Sequence, residues 1–124
     1  MKSLLLPLLA ALALPTAVNA DYFPDLKVQP QDFSEWFHIG VISGSGGMLC
    51  TMWAGSGEIT LESAINWRDG ILKRYSKEGK RAKEISIAGF NQGIESIQNV
   101  YAVDPKFKDL KNRFNKCNKL KIKQ

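Results

Sequence analysis

The sequence predicts an all-α fold: a small single-domain bundle of three or four helices with one disulfide. Three observations predict it. Apolar residues recur at the helical period in three separate stretches, 60–78, 81–101 and 104–121. Cap-forming residues mark the ends of those stretches: Thr60 and Asp104-Pro105 at starts, Gly79 at a stop. The two cysteines, Cys50 and Cys117, fall in the uncharged stretch before these three and on the last of them. A chain of 124 residues allows one domain, and at 44% hydrophobic and 23% charged it can bury enough apolar surface to offset chain entropy.

Residues 1–20, MKSLLLPLLAALALPTAVNA, have the layout of a secretory signal peptide. Lys2 is a short positive region. Leu4 to Leu14 is an apolar run broken only by Pro7, and Val18-Asn19-Ala20 supplies the cleavage site after Ala20. The run is shorter than the roughly 20 apolar residues that span a bilayer. Export to periplasm, thylakoid lumen or the extracellular space is therefore expected, with no transmembrane segment in the mature chain. Residues 21–34 carry Pro24 and Pro30 and read as an extended lead-in to a single helical domain over 35–124.

Residues 35–57 hold no formal charge between Glu35 and Glu58. Two structures compete for them. One is a buried helix capped by Ser34 and ending near Ala54, with Gly55 or Gly57 after it. The other is a β-hairpin over 36–53 turning at Ser43-Gly44-Ser45-Gly46-Gly47. Glycine disfavours helix by about 1 kcal/mol each relative to Ala. The spacing of Gly40, Gly44, Gly47 and Thr51 nevertheless makes one helical face of small residues, and helix is the reading taken. A membrane span is the weaker third reading, because Ser, Gly and Thr dilute the stretch.

The next helix starts at Thr60, with Glu62 in its first turn and Leu61, Ala64, Ile65, Ile71, Leu72 and Tyr75 as its apolar stripe. Lys73, Arg74 and Lys77 load its end before Gly79. Over 81–101 the stripe is Ile87, Phe90, Ile94, Ile97 and Tyr101, with Gly89 and Gly93 beside it. Arg81 and Lys83 oppose the helix dipole at that start, which moves the expected start toward Ser86. The last helix begins at Asp104-Pro105 and carries a seam of Phe107, Leu110, Phe114 and Cys117. In an exported chain the two thiols have one intramolecular pairing, Cys50 with Cys117. The chain-entropy model makes that bridge worth about 4 kcal/mol.

Charge is divided unevenly. Residues 21–66 hold one basic residue, Lys27, against six acids: Asp21, Asp25, Asp32, Glu35, Glu58 and Glu62. Most of the basic excess lies at the other end, in Lys106, Lys108, Lys111, Arg113, Lys116, Lys119, Lys121 and Lys123. Such asymmetry marks either an electrostatic partner surface or two halves that attract each other.

The leader MKSLLLPLLAALALPTAVNA and the stretch GMLCTMWAGSGEITLESA resemble small exported proteins of marine picocyanobacteria. The stretch places a helical Cys before a Gly turn, then opens a helix with I-T-x-E-x-A, and the second Cys comes late. The resemblance covers the leader and about a third of the mature chain. It implies export, to periplasm or thylakoid lumen, and a small helical fold with one disulfide. It carries over no activity and no catalytic residue.

Little in the sequence supports catalysis. His38 is the sole histidine, sits between Phe37 and Ile39, and has no G-x-S-x-G partner motif. The Ser43–Gly47 run lacks the Lys-Ser/Thr of a phosphate loop. Glu58, Glu62, Asp69 and Glu95 read as solvated charges, and two Cys with one His do not make a zinc site. No cofactor is expected. Gly40, Gly44, Gly47, Gly89 and Gly93 read as close-packing positions between helices. Their functional versions are a homodimer contact or an apolar-ligand pocket.

The basic C-terminal helix carries the leading functional expectation: a non-enzymatic, envelope-associated binding module. Its partner would be anionic lipid, envelope polysaccharide or an acidic protein. Nucleic acid is not expected, because that face offers no base-reading or stacking residues. The alternative is a small apolar-ligand carrier using a pocket between the glycine-faced helices.

Overall fold

The computed structural model describes residue 26, residues 28–100, residue 106 and residues 108–124. Residues 1–20, the expected leader, lie outside these residues, as do most of residues 21–27 and the Asp104-Pro105 start signal. Among the described residues the order is α1 (Phe33–Cys50), a π-helical turn (Thr51–Gly55), α2 (Leu61–Ser76), α3 (Lys80–Val100), α4 (Lys108–Asn115) and a 3-10 turn (Lys116–Leu120). No strand occurs among them. Residues 36–53 are therefore helix and π-turn, not the hairpin.

Asp32, not Ser34, caps α1, and Phe33 is its first residue. Asp32 Oδ1 accepts from Glu35 N at 2.8 Å, and Glu35 Oε1 reaches back to accept from Gln31 N at 2.8 Å. This is close to a capping box, with an Asp in place of Ser or Thr and the return bond made one residue earlier. The glycines are tolerated because α1 packs chiefly along α3, and that contact runs through glycine on both helices. After Cys50 the helix widens by one π-turn, where Thr51 Oγ1 donates to Gly47 O at 2.8 Å. Gly57, at φ +71°, then turns the chain in a conformation that side chains disfavour.

Thr60 caps α2 as its sequence implies, accepting from Ser63 N at 3.1 Å. Gly79, at φ +126°, separates α2 from α3. The start of α3 is Lys80, six residues before the expected Ser86, and Lys83 N donates to Gly79 O at 3.1 Å in its first turn. The reason is a distant partner. Arg81 donates to both carboxylate oxygens of Glu35, at 3.0 Å each, and to Gln29 O at 2.8 Å. Neutralised in this way, the arginine no longer opposes the helix dipole as a lone cation would.

The main core joins Ile42, Leu49 and Cys50 of α1, Ala64 and Leu72 of α2, Phe90 and Ile94 of α3, and Phe114, Cys117 and Leu120 of the C-terminal segment. A satellite cluster gathers Leu26, Ile39, Ile85 and Ala88 at the other end. Cys50 and Cys117 form the disulfide, with Cα atoms 5.6 Å apart and a sequence separation of 67 positions. Side-chain to backbone bonds fix the rest of the C-terminal segment. Asn91 donates to Ile122 O at 2.6 Å and accepts from Ile122 N at 2.8 Å. Gln98 donates to Phe114 O at 3.0 Å, and Arg68 donates to Leu120 O at 3.0 Å. Among the described residues no helix is long and apolar enough to cross a membrane.

Candidate functional site

The C-terminal segment buries one side and presents the other. Phe114, Cys117 and Leu120 follow the 3-residue spacing of the inner side and are buried, while Leu110 is half-buried above them. The residues between them are basic or amide and point to solvent. Lys106, Lys108, Lys111, Arg113, Lys116, Lys119 and Lys123 are all exposed. Lys121 is half-buried and pairs with Glu95 at 3.5 Å. Arg113 Nη1 donates to Gly55 O at 3.4 Å, which holds its guanidinium at the end of the π-turn that follows α1. Lys108, Lys111, Lys116, Lys119 and Lys123 have no ion-pair partner among the described residues. Asp109 is the one acid on the described segment.

Among the described residues the uneven charge is therefore little used up inside the fold. Among the described residues one ion pair, Glu35 with Arg81, joins the acidic half to the basic half. The Arg81 hydrogen bonds hold the Glu35 carboxyl below its usual value of 4.5, and the Gln31 N–H bond acts in the same direction against partial burial. Lys108, Lys111, Lys116, Lys119 and Lys123 face solvent on a segment held by the disulfide and by Asn91 and Gln98.

The other candidate groups fall into structural roles. His38 Nε2 lies 3.0 Å from Ser86 Oγ, and its ring tilts against Tyr75 with centroids 4.5 Å apart. A Ser–His pair invites a nucleophile reading, but the proton count opposes it. The fully buried Ser86 hydroxyl gives its only proton to Ala82 O at 2.6 Å. Its oxygen must then accept from His38, so the proton sits on Nε2 and the imidazole acts there as donor, not base. Ser43–Gly47 lies mid-helix in α1, not in a loop that could cradle phosphate. Glu58 and Glu62 are exposed, and Asp69 pairs with Arg68 at 2.9 Å. No cluster of three or more metal-ligating side chains occurs among the described residues.

The glycine positions divide. A Cβ on Gly93 would collide with the backbone of Ser43, and one on Gly89 would meet Ile39 O at 3.2 Å. One on Gly47 would meet Ile97 at 3.1 Å. Gly40 and Gly44 differ from expectation: both look onto open space. The position that closes the contact in their place is Gly46, whose Cβ would strike Phe90 O. The helix is rotated by about one residue relative to the Gly40–Gly44–Gly47 face. Cys50 held the signal, because the disulfide turns it inward and the same face then carries Gly46, Ser43 and Ile39 at helical spacing. Backbone meets backbone along this contact, so no ligand-sized space lies between the two helices there. An open groove of about 440 Å³ remains at its outer edge, lined by Gly44, Gly47, Met48, Met52, Gly93 and Ile97 among others.

Arg81, Asn91, Gln98 and Arg68, which fix the frame, act over 16 to 52 positions of sequence and left no local pattern to read. Comparison with known proteins yields no match: no family model fits the chain, and no curated protein or solved structure matches it. The class that fold and site define is a disulfide-tied helical bundle with a cationic C-terminal face.

Proposed function

We propose that this protein is an exported, non-enzymatic module that docks on anionic lipid surfaces through its C-terminal face. The observation that carries the reading is a row of exposed basic side chains, Lys108, Lys111, Arg113, Lys116, Lys119 and Lys123, on a segment fixed by the disulfide and by Asn91. A basic residue close to an anionic membrane contributes about 1 kcal/mol, and a fixed frame presents several together. The leader over residues 1–20 and the resemblance to small exported proteins of marine picocyanobacteria support the export half of the reading. The donor role of His38 toward buried Ser86 supports the non-enzymatic half.

Cosedimentation with vesicles containing anionic lipid, at low and physiological salt, tests the docking. Binding is expected at low salt and is expected to weaken as salt shortens the range of the charges. The triple variant Lys108→Glu, Lys111→Glu, Lys119→Glu changes exposed positions and should bind about 100-fold more weakly or worse. Absence of vesicle binding at low salt overturns the lipid reading. Retention on an anionic polysaccharide column or on an acidic protein would then identify the other polyanion.

A further inference from the structure

The outward side of α1 is apolar and uncovered. Phe33 is 61% exposed, Phe37 59%, Val41 40% and Met48 48%, with exposed Gly44 between the last two. Met52, in the π-turn after α1, is half-buried and lines the open groove beside Met48. Together these residues form a stripe about 28 Å long within roughly a quarter of the helix circumference. No charged residue lies between Glu35 and Glu58 to interrupt it.

The spacing of residues along the stripe reads the same from both ends. The spacings from Phe33 through Phe37, Val41, Gly44 and Met48 to Met52 are four, four, three, four and four. A two-fold contact places the same patch on both subunits, and this spacing lets an antiparallel pair set each stripe position opposite another. Set antiparallel on a second copy, Phe37 falls opposite the partner's Met48, and Phe33 opposite the partner's Met52. Val41 falls opposite the partner's Gly44. Bulk at the centre thus meets a missing side chain, and the aromatic rings reach the groove that Gly44, Gly47, Met48 and Met52 line. Sulfur against aromatic ring is itself a favourable pairing.

Charge agrees with the same orientation. Arg113 sits at the end of the π-turn that follows α1 through its bond to Gly55 O. The antiparallel copy brings the start of its own α1 to that end, where exposed Asp32 is the cap. Exposed Asp32 of one copy thus falls toward Arg113 of the other at both ends of the pair. The four exposed apolar side chains leave on the order of 400 Å² uncovered per copy, a patch size that usually carries a function. Two copies cover about twice that, and glycine backbone and groove walls bring the total toward the roughly 1,200 Å² at which specific interfaces begin.

We propose that this stripe is a self-association surface, on which two copies of the chain pack α1 against α1, antiparallel, centred between Val41 and Gly44. The interface lies at the small end of specific contacts, which fits a dimer that grows with concentration. Its partner is the chain itself, so it stands apart from the anionic-surface reading and is tested without lipid.

Sedimentation velocity of the purified, oxidised protein from ~1 to ~300 μM follows the monomer–dimer equilibrium. A dimer that grows with concentration is expected. Gly44→Glu adds a charge at the centre of the pair, at a position open to solvent in the monomer, and should weaken association at least tenfold with the helical circular dichroism unchanged. Orientation is read by mixing two single variants, Phe37→Cys and Met48→Cys, under mild oxidation. Crosslinking in the mixture, faster than for either variant alone, is expected. A chain that stays monomeric across the range overturns the proposal, as does a dimer indifferent to Gly44→Glu. Preferential crosslinking of Phe37→Cys with itself overturns the antiparallel arrangement.

Discussion

Gly93 and Gly44 belong to the same two-helix system and are expected to respond to alanine with opposite signs. A methyl group on Gly93 meets the Ser43 backbone, which no rotamer change can move aside. Gly93→Ala should therefore push α1 and α3 apart and destabilise the fold by about 1–3 kcal/mol, in the range of core overpacking. Gly44→Ala adds its methyl to open space and removes a flexible residue from a helix interior. It should stabilise by about 0.5–1 kcal/mol. Thermal melts of the two variants beside the parent protein check both, and a destabilised Gly44→Ala would contradict the open geometry at that site. The sequence showed that glycine mattered here but not which glycine. Composition and spacing cannot distinguish faces one residue apart. Reading the same helix outward from Cys50, with its inward direction set by the bridge, would have selected Gly46.

Among the helices, boundaries were legible where a cap and its partner lie within a few positions. Thr60 with Ser63 and the stop at Gly79 are such cases. The start of α3 was not legible, because the group that makes Arg81 tolerable there is Glu35, 46 positions away. That bond ties the first turn of α3 to the first turn of α1 and both to the approach at Gln29 and Gln31. It also makes stability depend on pH. The Glu35 carboxyl is held below its usual value of 4.5 in the folded protein, so its contribution is complete above that value and is lost as pH falls through the lowered one. Glu35→Gln should flatten the decline of melting temperature on acidification below pH 4.5. An unchanged acid limb in the variant would show that the pair adds nothing to stability. The basic C-terminal helix was legible as a seam of Phe114 and Cys117 on a lysine-rich background, since both patterns repeat locally. The amide brackets of Asn91 and Gln98 that hold it were not.

For the domain as a unit, the bridge between Cys50 and Cys117 joins the central helix to the last segment across 67 positions. The chain-entropy model assigns it about 4 kcal/mol, a large share of the roughly 5–15 kcal/mol typical of a domain. Reduction with a thiol should lower the melting temperature by more than any single surface substitution, and the basic segment should exchange its amide hydrogens faster once released. Equal melting temperatures with and without reductant would remove the bridge from the stability account. Disulfide pairing, helical class and the buried seam were all within reach of the sequence, because each rests on residue type or short-range period. The α1–α3 contact geometry and the long-range polar brackets were not, because they depend on which faces meet.

The bridge has one more consequence, which concerns cleavage. Its two cysteines bracket the exposed turn at Ser56-Gly57-Glu58, where α1 has ended and α2 has not begun. A protease that cuts there leaves both fragments covalently joined. The nicked molecule gains only one water and keeps its net charge at neutral pH, and it comes apart only when a reductant arrives.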